Sequence, residues 1–350
     1  MEEVLRRFPL EGKPIGVEPI TAGHINRSFL VTCDTGRRYV LQRVNTYVFH
    51  DVGAIMENLR LLRDYLRESA EAPPMIGFLD TMDGKSTAGD AAGGVWRLSP
   101  YVENSLSLLR PESEADFAES ALAFGRFQYA LRDFPASRLQ ETIPRFHDTP
   151  ERFRQLRAAA EADPCGRLAE AGEPLAFALA REERAGELQR CREQKEVPLR
   201  VTHNDTKMSN VLLDKTTRRA LCVIDLDTVM PGLAAYDFGD AIRAGAATGA
   251  EDGAGLRLDA AYAAAFARGF LRACPHLTAR ERETLPLGAW TMTLECGVRF
   301  LTDYLSGDPY FAVSHPKHNL ERALAQFSLA ADMERQWETL RELIEEVDII

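Results

Sequence analysis

The residues best able to do chemistry lie between Arg200 and Thr228, in "RVTHNDTKMSNVLLD" and "LCVIDLDT". In the first stretch His203 closes a strand-like run and Asp205 stands five positions before Asn210; in the second, an apolar run ends at Asp225. Phosphoryl transfer needs groups of this kind: a carboxylate to orient and accept a proton from the attacking hydroxyl, and oxygen ligands to hold Mg²⁺ on the nucleotide phosphates. On this reading Asp205 is the base, Asn210 and Asp225 ligate Mg²⁺, His203 braces the loop, and Lys207 reaches the transferred phosphoryl group. Asp227 is either a further metal ligand or a partner of the groups behind the metal, and ranks after Asp225.

H-x-D-x-x-x-x-N followed by a strand-terminal aspartate is the spacing of kinase catalytic loops. Taken singly, each residue is an ordinary turn former at a strand end; the joint spacing, with a strand between, favours catalysis. Upstream, "ITAGHINRSFLVTC" joins two strand-like runs through Gly23, where a nucleotide-covering loop would sit, although one glycine in place of three fits a plain hairpin equally well. "RYVLQRVN" is the strand expected to offer a lysine to the α and β phosphates, and Glu57 in "MENL" lies on the helix expected to pair with it. That strand has no lysine. Alternation puts Val40 and Gln42 on one face and Leu41 and Arg43 on the other. Gln42 falls at the expected register and Arg43 carries the charge, which ranks Arg43 slightly ahead. Glu57 also reads as a solvated helix residue.

Elements must position these groups. Up to about Tyr101 the chain reads as one antiparallel sheet made of "KPIGVEPITAG", "RSFLVTCD", "RYVLQRVN", "PMIGFLD" and "GVWRLSPYV". One helix interrupts it: in "DVGAIMENLRLLRDYLRES", Ile55, Leu59, Leu62 and Leu66 recur at helical spacing behind an Asp51 cap. From "PESEADFAESALAFGRFQYALRDF" onward the pattern is helical, with later helices expected over 150–162, 174–194, 256–273, 278–305 and 317–347 and the chemistry-bearing stretch set among them as a β patch. Because 350 residues exceed a comfortable single core, the expected division is a nucleotide-binding lobe over 1–103 and a catalytic and acceptor-binding lobe over 104–350. "AGAATGAEDGAG", Ala244 to Gly255, reads as a mobile loop.

The 42 basic and 53 acidic residues leave a net charge of −11, which opposes nucleic-acid binding but not a nucleotide bridged by a divalent cation. No window reaches the roughly 18 apolar residues of a membrane span, and "MEEVLRRFPLEGKP" lacks a basic-then-apolar leader, so a cytoplasmic protein is expected. The six cysteines are scattered without CxxC pairs, and reduced, mostly buried thiols are expected.

Together, "AGHINRSFLVT", "YVLQRVN", "VFHDVGAIMENL", "VTHNDTKMSNVLLD", "VIDLDTVMPGLAAYDFGDAIR" and "LECGVRFLTDYLSGDPYF" resemble the aminoglycoside phosphotransferase and choline kinase superfamily, and more narrowly the bacterial N-acetylhexosamine 1-kinases, over about residues 20–335. The resemblance implies an α+β, bilobal protein-kinase-like fold, with a small N-terminal lobe of antiparallel sheet plus helix and a large, mainly helical C-terminal lobe. It implies ATP and Mg²⁺ as cofactors, and phosphorylation of the anomeric hydroxyl of N-acetylglucosamine (GlcNAc) or N-acetylgalactosamine (GalNAc); spacing alone implies only a hydroxyl kinase. For the sugar it points to His24, Asp205, Arg299 and Tyr310. A neutral sugar needs directed donors such as an arginine fork and a tyrosine hydroxyl between apolar walls. The same arginine could instead snorkel or form an ion pair, the tyrosine could pack, and a turn histidine could bond its own loop. "YDFGDAIR" carries Asp237 and Asp240, expected to cap a helix and pair with Arg243 or the catalytic loop. Ala244 follows where close relatives are expected to have an aromatic residue, which implies a more open pocket wall.

The implied partners are a small sugar and a nucleotide, with neither nucleic acid nor membrane; the oligomeric state stays open, a monomer being favoured. Two rivals remain: a same-fold kinase of another small alcohol, whether hexose, amino alcohol or aminoglycoside, and a catalytically silent nucleotide-binding protein, suggested by the missing lysine.

Overall fold

A computed structural model describes residues 1–20, 25–68 and 75–347. After a short α1 (Glu2–Leu5), the strands β1 (Pro14–Ile20), β2 (Arg27–Cys33) and β3 (Arg38–Arg43) pair antiparallel in sequence order. With the two-residue β4 (Ala88–Gly89) and β5 (Val95–Pro100) they form a five-stranded sheet of order β1-β2-β3-β5-β4. Alternation gives this sheet two different faces. Val31, Tyr39, Leu41, Trp96 and Leu98 pack with α1 and Phe8 into a small core, while Ser28, Leu30, Val40, Gln42, Arg97 and Ser99 line a cleft on the other side.

Asp51 caps α2 (Val52–Leu66) by accepting the Ala54 N–H, and Ile55, Leu59, Leu62 and Leu66 are all buried. They join the large core shared with the rest of the chain, not the small core of the sheet. "PMIGFLD" departs from expectation: Leu79 makes one bridge to Leu98 and Met75 one to Val223, with no continuous strand. Along that edge of β5 the neighbouring position is already taken by β4, through Ala88 and Trp96.

The larger lobe is mainly helical. β6 (Ser105–Leu106) leads to α3 (Glu114–Ala130), α4 (Thr149–Ala162), α5 (Leu168–Leu179), α6 (Glu182–Ala185) and α7 (Glu187–Glu193). The β patch follows as β7 (Arg200–Thr202), β8 (Val211–Asp214), β9 (Ala220–Val223) and β10 (Met230–Gly232), paired β10-β7 and β6-β8-β9. Helices α8 (Ala234–Gly245), α9 (Ala260–Ala273), α10 (Ala279–Leu305), α11 (His318–Arg335) and α12 (Trp337–Glu345) complete the α+β, two-lobed kinase-like architecture.

Two helix expectations and one loop expectation differ in detail. The helix over 174–194 is interrupted, with Gly186, a poor helix former, between α6 and α7. The helix over 317–347 breaks at Gln336, whose side-chain amide donates to Leu258 O and Asp332. The stretch read as a loop from Ala244 begins inside α8 and is pinned by the Ala247–Leu258 bridge and the Arg243–Glu251 ion pair. No described helix is long and apolar enough to cross a membrane, and the six cysteines form no disulfide.

Two features fix the floor of the site. Helices α8 and α10 cross backbone to backbone, since a Cβ at Gly239 would lie 2.2 Å from Gly288 O, and one at Gly288 would lie 2.2 Å from Ala235 O. At the start of α10, buried Glu281 takes two 2.8 Å bonds from Arg200 at the head of β7 and completes a capping box with Thr278. Burial alone would raise the Glu281 carboxyl, but the Arg200 fork and the Thr278 N–H outweigh it and hold it below the usual range. A carboxyl depressed in the fold contributes stability above its unfolded value, which is lost as pH falls through the folded value. Glu281→Gln is therefore expected to cost about 3 kcal/mol at neutral pH in urea melts. The gap from wild type should close below about pH 4; a gap undiminished at acid pH would contradict the ion pair.

Candidate active site

β7 delivers the chain to His203 and then to Asn204, which turns it through a left-handed conformation, φ 62°. Asp237 on α8 holds this turn from behind by accepting the N–H of His203 at 2.9 Å and of Asn204 at 2.7 Å. His203 is buried; its Nδ1 faces the Asp205 N–H at 3.3 Å, so the ring proton belongs on Nε2, which donates to Ile224 O at 2.9 Å. That bond ties the loop to the strand end that carries Asp225. The Asn210 amide donates to Asp205 O at 2.8 Å and Oδ2 at 2.9 Å, leaving its own Oδ1 for another ligand. The Ile224 N–H in turn donates to Asn210 O at 2.9 Å. Asp205, Lys207, Asn210 and Asp225 thus border one cleft of about 400 Å³ beneath the sheet.

Charge in this cleft is strongly coupled. Lys207 Nζ stands 3.1 Å from Asp205 Oδ1. Burial would raise the Asp205 carboxyl, but Lys207, with the bond from the Asn210 amide, brings it below the ordinary range. Burial would lower the Lys207 ammonium, but Asp205, Asp225 and Asp240 outweigh this and raise it. The protein mass around Asp225, then Asp227 and Asp205, push its carboxyl up to about 6. Asp225 has no hydrogen-bond or ion-pair partner among the described residues. An unengaged carboxylate crowded by like charge, beside a free amide oxygen, is a hard donor set that a divalent cation would relieve. Among the described residues no group of three or more His, Cys, Asp or Glu is placed to hold a metal ion.

The sheet side corrects two expectations. Arg43 points to the outer face, with its guanidinium 6.0 Å from the Trp96 ring, because the period of the strand puts it with Leu41 and away from the cleft. Glu57 is half-exposed and bonded to Arg60 at 2.7 and 2.8 Å, one helical turn along α2, so it faces no cleft cation. Gln42 does line the cleft. The buried cation there is Arg97 on β5, which grips Asp227 with a fork at 2.5 and 2.9 Å. Asn58, on the inward side of α2, donates to Gln140 O at 2.9 Å and to Val229 O at 3.2 Å. Gly23 and His24 lie outside the described residues.

Arg299 and Tyr310 come together on the α10 side. The Arg299 guanidinium lies 5.0 Å from the Phe146 ring, 5.5 Å from Phe311 and 5.8 Å from Tyr310. Asp303 accepts the N–H groups of Tyr310 and Phe311, each at 2.9 Å, and so fixes that corner. One turn before Arg299, buried Glu295 meets His147 Nδ1 at 2.9 Å and the Thr149 hydroxyl at 2.5 Å, while His147 Nε2 faces Asn204 O at 3.3 Å. Since a carbonyl and a carboxylate both accept, His147 donates to one or the other according to its tautomer. This chain links α10 to the turn before Asp205. Asp240 Oδ1 takes both Arg243 bonds, at 2.8 and 2.9 Å, leaving its buried Oδ2 without a partner among the described residues.

Sequence reasoning passed over Arg97, His147 and Glu295. For Arg97 the available signal was alternation, since in "VWRLS" Trp96 and Leu98 share one face and Arg97 and Ser99 the other. Glu295, an acid inside the apolar run "WTMTLECGV", was a second. His147 had none.

Over residues 16–278 the sequence matches the family described as Phosphotransferase enzyme family. Solved structures of similar fold span nearly the whole chain. A microcompartment-associated aminopropanol kinase superposes with a TM-score of 0.66 at 16% identity, over 100% of this chain and 98% of that one. An aminoglycoside phosphotransferase from Alicyclobacillus acidocaldarius gives 0.61 at 16% identity, over 99% and 96%. An amicoumacin kinase in complex with AMP-PNP and Ca²⁺ gives 0.58 at 15% identity, over 99% and 92%. At these identities the likeness is one of fold.

Proposed function

We propose that this chain, which belongs to the phosphotransferase enzyme family, acts on an alcohol group, transferring the γ-phosphoryl group of ATP, with Mg²⁺, to the anomeric hydroxyl of an N-acetylhexosamine, GlcNAc or GalNAc. The lobe division at residues 103 and 104 goes with this reading, because β5 ends at Pro100 and β6, from Ser105, already pairs with β8.

Asp205 orients the acceptor hydroxyl and accepts its proton as the new O–P bond forms, kept ionised by Lys207. Asn210 Oδ1 and the Asp225 carboxylate would hold the cation, whose charge neutralises the phosphates during in-line transfer. His203 keeps the two loops in register. Val40 and Leu30 above, with Leu212 and Ile224 below, give apolar walls suited to a nucleobase.

The observation that carries the acceptor reading is Arg299. Its guanidinium has three aromatic neighbours and no hydrogen-bond or ion-pair partner among the described residues, so its donors are available to a sugar. A second cation, Arg152, stands close enough that, after burial, Arg299 lowers its affinity for its proton. Two cations repel an ammonium group. One observation favours a same-fold kinase of an amino alcohol: the unpartnered Asp240 Oδ2 would suit a cationic donor.

A coupled ATP-consumption assay over GlcNAc, GalNAc, plain hexoses, amino alcohols and aminoglycosides separates the two, and turnover confined to amines would end the hexosamine reading. With the best neutral acceptor, Arg299→Met is expected to lower kcat/KM by roughly 10- to 100-fold, the worth of a hydrogen bond to a charged donor. The KM for ATP should stay near wild type; an acceptor KM that does not move would remove Arg299 from the pocket.

A further inference from the structure

We propose that Arg97 is a positioning residue: through Asp227 it fixes the turn that presents Asp225, and so sets the affinity of the cleft for a nucleotide with its divalent cation. This rests on the reading of Asp225 as a cation ligand. Arg97 lies directly across from Gln42 in the β3–β5 register, on the same sheet face and one strand over from the position that lacks a lysine.

Each of its three guanidinium nitrogens makes a hydrogen bond. Besides the fork to Asp227, Nε donates to Gln42 Oε1 at 3.1 Å, and the plane lies 4.4 Å from the centre of the Phe78 ring. Gln42 in turn donates to the Ser28 hydroxyl at 3.1 Å, and Asn26, just before β2, donates to Asp227 Oδ2 at 2.7 Å. Three strands of the small lobe therefore converge on one carboxylate of the large lobe. The side chains of Arg97 and Asp227 are each 1% exposed, so water does not share this contact.

Both Asp227 oxygens already accept bonds from the Arg97 fork and Asn26, which favours the anchoring role of Asp227 over metal ligation. The turn needs an anchor. Asp225 adopts a left-handed conformation, φ 58°, that a non-glycine residue keeps only when its surroundings over-determine it. Asp227 sits in the single 3₁₀ turn that follows, Leu226–Thr228, and its carbonyl is held by the Thr142 hydroxyl at 2.7 Å. Removing Arg97 would leave a buried carboxylate, two residues from Asp225, with the Asn26 amide as its one remaining side-chain donor among the described residues, and would loosen the hold of the sheet on the turn. An arginine held by an acid here does with a structural pair what a strand lysine does by reaching the phosphates directly.

Calorimetric titration of Mg·ADP, and of ADP in chelator, into the full-length protein tests this, using Arg97→Met, Asp227→Asn, the double variant and Asp225→Asn. Removing both partners avoids stranding a buried charge, so the double variant stays measurable even if Arg97→Met does not fold. The expected result is that the double variant binds Mg·ADP about 10- to 100-fold more weakly, as for groups that orient metal ligands, while binding ADP in chelator as wild type does. Arg97→Lys, with a single donor head, should fall between. A double variant that binds Mg·ADP like wild type would overturn the proposal and leave the pair a structural brace. If Asp225→Asn itself binds Mg·ADP like wild type, the cation-ligand reading fails first, an outcome distinct from failure of Arg97 alone.

Discussion

Asp205→Asn is expected to lower turnover by roughly 10³-fold, within the range for removing a positioned general base, with Mg·ATP affinity unchanged or tighter. The substitution keeps the side chain's size and its neighbour Asn210, but it removes the charge that Lys207 meets at 3.1 Å and the lone pair proposed to take the acceptor proton. Binding should not suffer, because an anionic carboxylate beside a triphosphate is repulsive in the ground state and a neutral amide is not. The coupled ATP assay gives turnover, and calorimetry gives the affinity on the same preparation. Asp205→Ala should lose as much turnover, which separates loss of the base from any bond the asparagine forms. Turnover within threefold of wild type in either variant would remove Asp205 from the chemistry and, with it, the meaning of the loop spacing.

That loop was legible because its logic is local. The offsets from His203 to Asp205 and Asn210 follow from one tight turn, and the strand end at Asp225 is joined to it by the bonds of Ile224. The α2 stripe was legible for the same reason, four apolar residues one turn apart behind an Asp51 cap. What failed to show was set by register between distant segments. Arg43 was preferred to Gln42 on charge, yet the period of two in β3 decides which side chain can reach the cleft, and it excludes Arg43. The cation that does reach it, Arg97, is brought there by β5 pairing with β3, a fact about two strands that neither strand carries alone. His147 and Glu295 meet across 148 residues of chain. Nothing in "RFHDTP" distinguishes a histidine that supports the catalytic turn from one at a helix start.

Asp237 bears the same turn from the other side, and Asp237→Ala should be the most destabilising single change near the site. Its carboxylate is fully buried and accepts three donors: the N–H groups of His203 and Asn204 at 2.9 and 2.7 Å, and the Gln128 amide at 2.6 Å. Alanine would strand all three where no water compensates, at about 1–3 kcal/mol each with partial relaxation, so a loss of roughly 3–5 kcal/mol is expected in urea or thermal melts. Burial pushes the Asp237 carboxyl up, so the folded state gains less from its charge than from its acceptor oxygens. Asp237→Asn, neutral and with one acceptor oxygen left, should therefore cost distinctly less than Asp237→Ala. Asn204 keeps its left-handed conformation because its N–H is held, and Asp205 follows it directly. Turnover of the folded fraction should accordingly fall about 10²-fold in Asp237→Ala, since small misplacements of a reacting group cost that much. Melts within 1 kcal/mol of wild type would show that the turn stands without its clamp, and the positioning ascribed to the Asp237 carboxylate would have to pass to Thr206, whose hydroxyl reaches Asp237 O at 2.5 Å.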